Sequence, residues 1–126
     1  MKRLWLGVGV LALLLAAGFW AMDYADRHQE RICSRLEQAT QAALGSDWAQ
    51  VERLTKEVCR LWEDSWDAWA TLSDHTELDE IDAGFARLEV YCHDGHTTDY
   101  AAECAALARL VEALGDGHRL SFRNLF

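Results

Sequence analysis

The sequence predicts an all-α protein: an N-terminal transmembrane helix that continues into an antiparallel extracytoplasmic bundle of two helical hairpins. Three observations predict it. Proline is absent from all 126 residues, although the turns of an all-β domain of this size would recruit it. Ala, Leu, Glu and Arg, all strong helix formers, are plentiful. An uncharged run stands at the N-terminus, and apolar residues at spacings of three and four follow it.

The uncharged run is Leu4 to Met22, 19 residues. As a helix it is about 28 Å long, close to the ~30 Å hydrocarbon core of a bilayer. Lys2 and Arg3 precede it and Asp23 follows. The positive-inside rule then puts Met1 in the cytoplasm and residues 23–126 outside. Trp5 and Trp20 lie near its two ends, where indoles prefer the headgroup level. The chain thus divides into a membrane anchor over 1–22 and an extracytoplasmic bundle over 23–126. A cleaved signal peptide competes with this reading, with Leu4–Leu15 as its apolar core and Ala16-Ala17-Gly18 as its cleavage site. It would release a secreted protein. The anchor is preferred because the apolar run continues past that site. Both readings export residues 23–126. That part holds 10 basic residues against 21 acidic ones, a net charge of −11. The sign opposes nucleic-acid binding and gives no attraction to anionic headgroups. It suits cations or a basic partner.

Each helix has a readable stripe. No Gly interrupts Asp23–Leu44, so the membrane helix runs on into the first bundle helix, with Cys33, Leu36, Thr40 and Ala43 facing inward. Gly45-Ser46-Asp47 ends it, with Gly45 as the residue after the helix and Ser46 or Asp47 capping the next. The second helix covers about 47–72, with Trp48, Val51, Thr55, Val58, Trp62, Trp66 and Trp69 on one face. Asp74 or Thr76 caps a third helix whose stripe is Leu78, Ile81, Phe85, Leu88 and Cys92. The turn at Asp94–Thr97 leads to a fourth helix, capped by Thr97 or Thr98 and striped by Tyr100, Cys104, Leu107, Val111 and Leu114. Gly115-Asp116-Gly117 is expected to stop it, and Leu120, Phe122, Leu125 and Phe126 to fold back on the bundle. Residues 35–49 align without gaps to 87–101, with five identities and Trp48 opposite Tyr100. The likeness marks two helix–turn–helix hairpins, which pack most simply as an antiparallel bundle.

Four cysteines in an exported segment suggest disulfides. Cys33 and Cys59 lie at nearly equal distances from the first turn, as do Cys92 and Cys104 from the second. Equal distances put residues at one level of a hairpin, so the expected pairs are Cys33–Cys59 and Cys92–Cys104. Each would contribute roughly 3 to 3.5 kcal/mol in the chain-entropy model. The alternative is a zinc site from Cys92, His93, His96 and Cys104. A second metal candidate is the acidic stretch Asp74–Asp82, where His75, Asp79 and Asp82 share a helical face as divalent-cation ligands would. The plainer reading of that stretch is an acidic first turn that complements the helix dipole. Trp62, Trp66 and Trp69 form a ridge that suits either the core or a partner groove. No nucleophile motif, phosphate loop or dinucleotide fingerprint is present, so neither an enzyme nor a cofactor is expected.

Trp62, Trp69, the stretch Asp74-His75-x-Glu77-x-Asp79-x-Ile81-Asp82, Arg87-Leu88, Tyr91 and the closing Leu120-Ser121-Phe122-Arg123-Asn124-Leu125-Phe126 carry a resemblance. The chain resembles a domain-of-unknown-function family of short, single-pass membrane-anchored proteins from clostridia and bacilli. The resemblance implies export with an anchor and no catalytic residue, cofactor or substrate. The expected function is a non-enzymatic, membrane-anchored interaction or scaffold module accessory to another membrane protein. The alternative is a cation-binding or sensing domain using His75–Asp82.

Overall fold

A computed structural model describes residues 1–125, with side-chain surroundings through Gly117. It is all-helical over these residues: α1 Lys2–Leu44, α2 Trp48–Leu72, α3 His75–Asp94 and α4 Thr97–Leu125. α1 packs against α2 and α4, and α3 packs against the same two, so four antiparallel helices close a ring.

The stripes meet in one core. Ile32, Leu36, Ala39 and Ala43 of α1 lie against Val51, Leu54, Val58, Trp62 and Trp69 of α2, with Leu78, Ile81, Phe85 and Leu88 of α3. The α4 stripe Tyr100, Cys104, Leu107, Val111 and Leu114 is buried throughout, as its spacing predicts. On α1 the buried set is Ala25, Gln29, Ile32, Leu36, Ala39 and Ala43; Leu36 and Ala43 are buried as expected, whereas Cys33 and Thr40 are half-buried at the flank and their neighbours Ile32 and Ala39 face inward. The difference at these two positions has a simple cause. α1 faces two neighbours, so its apolar face is wider than one seam. Trp48 and Tyr100, equivalent in the internal repeat, touch edge to face with centroids 6.3 Å apart.

The turns refine the reading. Asp47 caps α2, its carboxylate accepting from Gln50 N–H at 3.3 Å, and Asp74 caps α3 through Thr76 N–H at 3.2 Å. In the first turn Ser46, not Gly45, takes the left-handed conformation, with φ 59°. The Ser46 and Asp47 N–H groups bond the carbonyls of Ala43 and Ala42, which satisfies the last turn of α1. Gly95 fills the same role after α3 at φ 70°, where a glycine has no β-carbon to strain. α4 opens one residue early: the His96 carbonyl accepts from Tyr100 N–H at 2.9 Å, so Thr97 is already inside the helix.

The expected stop at Gly115-Asp116-Gly117 is wrong. α4 runs through it to Leu125. Two glycines weaken an isolated helix by about 1 kcal/mol each, but Gly115 lies directly against the Gln29 side chain of α1, where any β-carbon would overlap the amide. Packing between α1 and α4 thus offsets a poor local propensity. The return of Leu120, Phe122, Leu125 and Phe126 onto the bundle lies outside the described side chains.

Upstream of the bundle α1 changes character. Residues 1–20 are exposed, Leu4, Trp5 and Trp20 at 70% or more. By length and composition this half of the helix can cross a membrane, and none of its apolar window is buried by the bundle.

Gly84 marks the closest approach of α3 to α4. A β-carbon there would overlap Leu107 Cδ2 and sit 3.2 Å from Glu103 Oε1. Gly84→Val should therefore destabilise the bundle by about 1–3 kcal/mol through overpacking. A melting temperature equal to that of the parent would show that the two helices can part without cost.

Candidate functional site

A groove of about 610 Å³ lies between the first half of α2 and the last turns of α3. Trp48, Glu52, Thr55 and Lys56 form one wall, and Glu89, Cys92, His93 and Gly95 the other. That volume is in the range of small-ligand sites. Trp48 opens α2 and Gly95 ends α3, so the groove sits at the end of the bundle that carries the α1–α2 and α3–α4 turns. The exposed apolar half of α1 projects from the opposite end.

The floor of the groove is ordered by buried hydroxyls. Thr55 Oγ1 donates to the Val51 carbonyl at 2.7 Å and lies 2.6 Å from the Tyr100 hydroxyl. Thr55 has one proton and spends it on Val51, so Tyr100 is the donor of the second bond. Burial pushes the Tyr100 phenol above its ordinary range. On the rim, Lys56 pairs with Glu52 at 3.3 Å. Sequence reasoning picked out Trp48, Cys92 and His93 but not Glu52, Lys56 or Glu89. Nothing in their spacing marks them, because each lies outside its helix's apolar stripe.

Glu89 also lies beside the Cys59 thiol behind the groove. The cysteines do not pair as expected. All four are free. Cys33 points its sulfur at the Ala108 carbonyl of α4, 3.9 Å away, while Cys59 faces Glu89 on α3. Cys104 lies beside the hydroxyls of Thr40 of α1 and Tyr100 of its own helix. Equal distance from a turn sets the level of a residue but not the side it presents. In this ring Cys33 and Cys104 turn toward the α1–α4 seam and Cys59 turns toward α3, so neither hairpin closes a disulfide. Nor do Cys92, His93, His96 and Cys104 gather: no group of three or more His, Cys, Asp or Glu among the described residues could hold a metal ion.

The acidic stretch is put to another use. Both oxygens of Asp82 accept indole N–H groups, from Trp62 at 2.5 Å and from Trp66 at 3.2 Å. Trp62 stacks on Phe85 at 5.7 Å and Trp66 on His75 at 6.2 Å. Asp82 therefore fastens α2 to α3, and His75, Asp79 and Asp82 are not brought together as a ligand set. Trp62 and Trp69 are buried in the core, and Trp66 is half-buried beside them. The spacing held a clue: Asp82 follows Leu78 by four and precedes Phe85 by three, which puts it at the flank of the α3 stripe, within reach of α2.

Two outcomes follow. Asp82→Ala should cost about 1–3 kcal/mol, because it strands the buried Trp62 indole, whereas Asp79→Asn should leave the melting temperature unchanged. Equal effects in paired melts would refute the clamp. Burial pushes Cys33 and Cys104 up to about 11 and Cys59 up to about 12, from an ordinary value of 9.0. The fold holds these thiols protonated, so their contribution is complete below pH 9 and is lost as pH rises through 11 to 12. Urea unfolding at stepped alkaline pH should show stability flat to about pH 9 and falling beyond it. A stability that rose with pH above 9 would contradict the buried, protonated state.

Neither a curated protein nor a solved structure matches the chain. Residues 19–125, which take in the bundle, its groove and the end of the apolar run, match the family described as Domain of unknown function (DUF4363), and the chain belongs to that family.

Proposed function

We propose that this is a non-enzymatic, membrane-anchored interaction module that serves another membrane protein from outside the cytoplasm. Residues 4–22 form the anchor, and the groove at the far end of the bundle receives the partner. The observation that carries this reading is the two-part character of α1. One unbroken helix is bare and apolar over residues 4–20, then forms a wall of the core from Ala25 to Ala43. A soluble bundle would not maintain so large an exposed apolar surface. Lys2 and Arg3 ahead of the run set the direction of insertion. A groove facing away from the membrane leaves its opening free for the exposed part of a neighbouring protein.

In cells, the full chain should stay in the membrane fraction after alkaline carbonate extraction and keep its N-terminus at Met1 or Lys2. A photo-crosslinking residue at His93, in the groove wall, should trap one discrete membrane protein. The same residue at Glu37, an exposed site on α1 outside that groove, should not. Mature protein that starts near Phe19 and washes off the membrane would refute the anchor. Equal yields from positions 93 and 37 would refute the groove as the contact.

A further inference from the structure

The contacts of α1 with its two neighbours fix how far the bundle reaches toward the apolar run. Tyr24 on α1 donates its hydroxyl to the Asp64 carbonyl of α2 at 3.3 Å. α2 runs on antiparallel for eight residues, to Leu72, before it turns into α3. At 1.5 Å per residue that is about 12 Å, which brings Leu72 to the level of Ala16–Trp20 on α1. Farther up, Arg35 pairs with Glu57 at 2.8 Å, a pairing four residues out of step with the first that puts Leu72 opposite Trp20. α4 repeats the arrangement on the other side. Gly115 lies against Gln29, and α4 continues ten residues to Leu125, about 15 Å and again to the level of Phe19. A crossing angle of about 20° shortens these reaches by less than a tenth.

From this geometry we infer that the bundle has no stalk: its α2–α3 turn, Thr71–Thr76, and the end of α4 sit in the headgroup layer of the bilayer, whose lipids are the partner of this face. The inference rests on the reading that residues 4–22 cross the membrane. If that run fills a hydrocarbon core about 30 Å thick, Met22 marks its outer edge, and what stands level with Phe19 or Trp20 lies within about 5 Å of that edge. The side chains suit that layer. Phe19 and Trp20 are 58% and 70% exposed. Trp20, Tyr24 and His28 stack in succession along α1, with centroids 5.7 and 4.1 Å apart, an amphipathic ladder of the kind that marks an interface. Thr71, Ser73, Asp74, His75 and Thr76 at the turn are polar, which fits headgroups and not acyl chains. The net charge of −11 does not draw the bundle to lipid. The covalent helix holds it there, and the stretch after Asp116 carries Arg119 and Arg123 with no acid.

The test uses the full chain in nanodiscs of phosphatidylethanolamine and phosphatidylglycerol, with a gadolinium chelate on a fraction of the headgroups. Amide signals of residues 71–76 should broaden as strongly as those of Trp20–Met22. Those of Gly45–Asp47 and Gly95–Thr97, about 30 Å farther out along the bundle, should keep their intensity. Broadening of Trp20–Met22 without residues 71–76 would overturn the seated bundle and leave the anchor standing. Broadening that includes Gly45 and Gly95 would overturn it too, since the bundle would then lie flat. Unbroadened Trp20–Met22 would overturn the anchor and this inference together.

Discussion

α1 is the element against which every other is placed. Its bundle half contributes small residues, Ala25, Ala39 and Ala43, among larger ones, Ile32 and Leu36, all buried. Small side chains let α2 and α4 approach closely on two sides, and the larger ones fill the space between them. The same helix continues without a break into the apolar run. Because an α-helix turns 100° per residue, the covalent chain fixes both the height and the rotation of the bundle relative to that run. Insertion of a single residue near Met22 would swing the bundle by more than a quarter turn. A flexible linker would leave height and rotation free; this helix does not.

Polar groups inside the ring do the work of registration that apolar packing alone leaves open. Leu and Val slide along one another at small cost, but a buried indole or hydroxyl needs its partner. Trp62 finds Asp82, which sets α2 against α3. Thr55 finds Tyr100, which ties α2 to α4 through the middle of the ring. On the α1–α4 side Gln29 is buried with its carbonyl oxygen unpartnered among the described residues, pressed against the bare backbone at Gly115. That seam is held by shape.

The helices and their turns were legible because they depend on neighbours in sequence. The α4 stripe from Tyr100 to Leu114 needed only its period, and Asp47 and Asp74 only their place ahead of an apolar pattern. What could not be read was anything fixed between helices. The cysteine pairing failed for this reason: counting residues from a turn gives height, while the facing side depends on which neighbour each helix prefers. Cys33 turned toward α4 and not α2. The stop at Gly115 failed in the same way, because a tertiary contact with Gln29 outweighed a local signal. Asp82 lay in between. Its place at the flank of the α3 stripe was visible, but two waiting indoles on α2 were not.

The free thiols change what the cysteine count says about location. Four cysteines in an exported segment suggested bonds, and bonds would have reported an oxidising compartment. The structure instead treats Cys59 and Cys104 as small apolar side chains buried in the core. Export then has to be argued from α1 alone. Free thiols are compatible with it on kinetic grounds. Exchange and oxidation proceed through the thiolate. Burial pushes Cys33, Cys59 and Cys104 up to about 11 or 12, so at neutral pH only about one in ten thousand or fewer is ionised at any instant. Their sulfurs also lie beside a carbonyl, a carboxylate and hydroxyls. A bundle that stays folded keeps Cys59 and Cys104 out of reach of external oxidants, while Cys92 lines the groove, and the Trp62–Asp82 clamp, not a disulfide, ties α2 to α3.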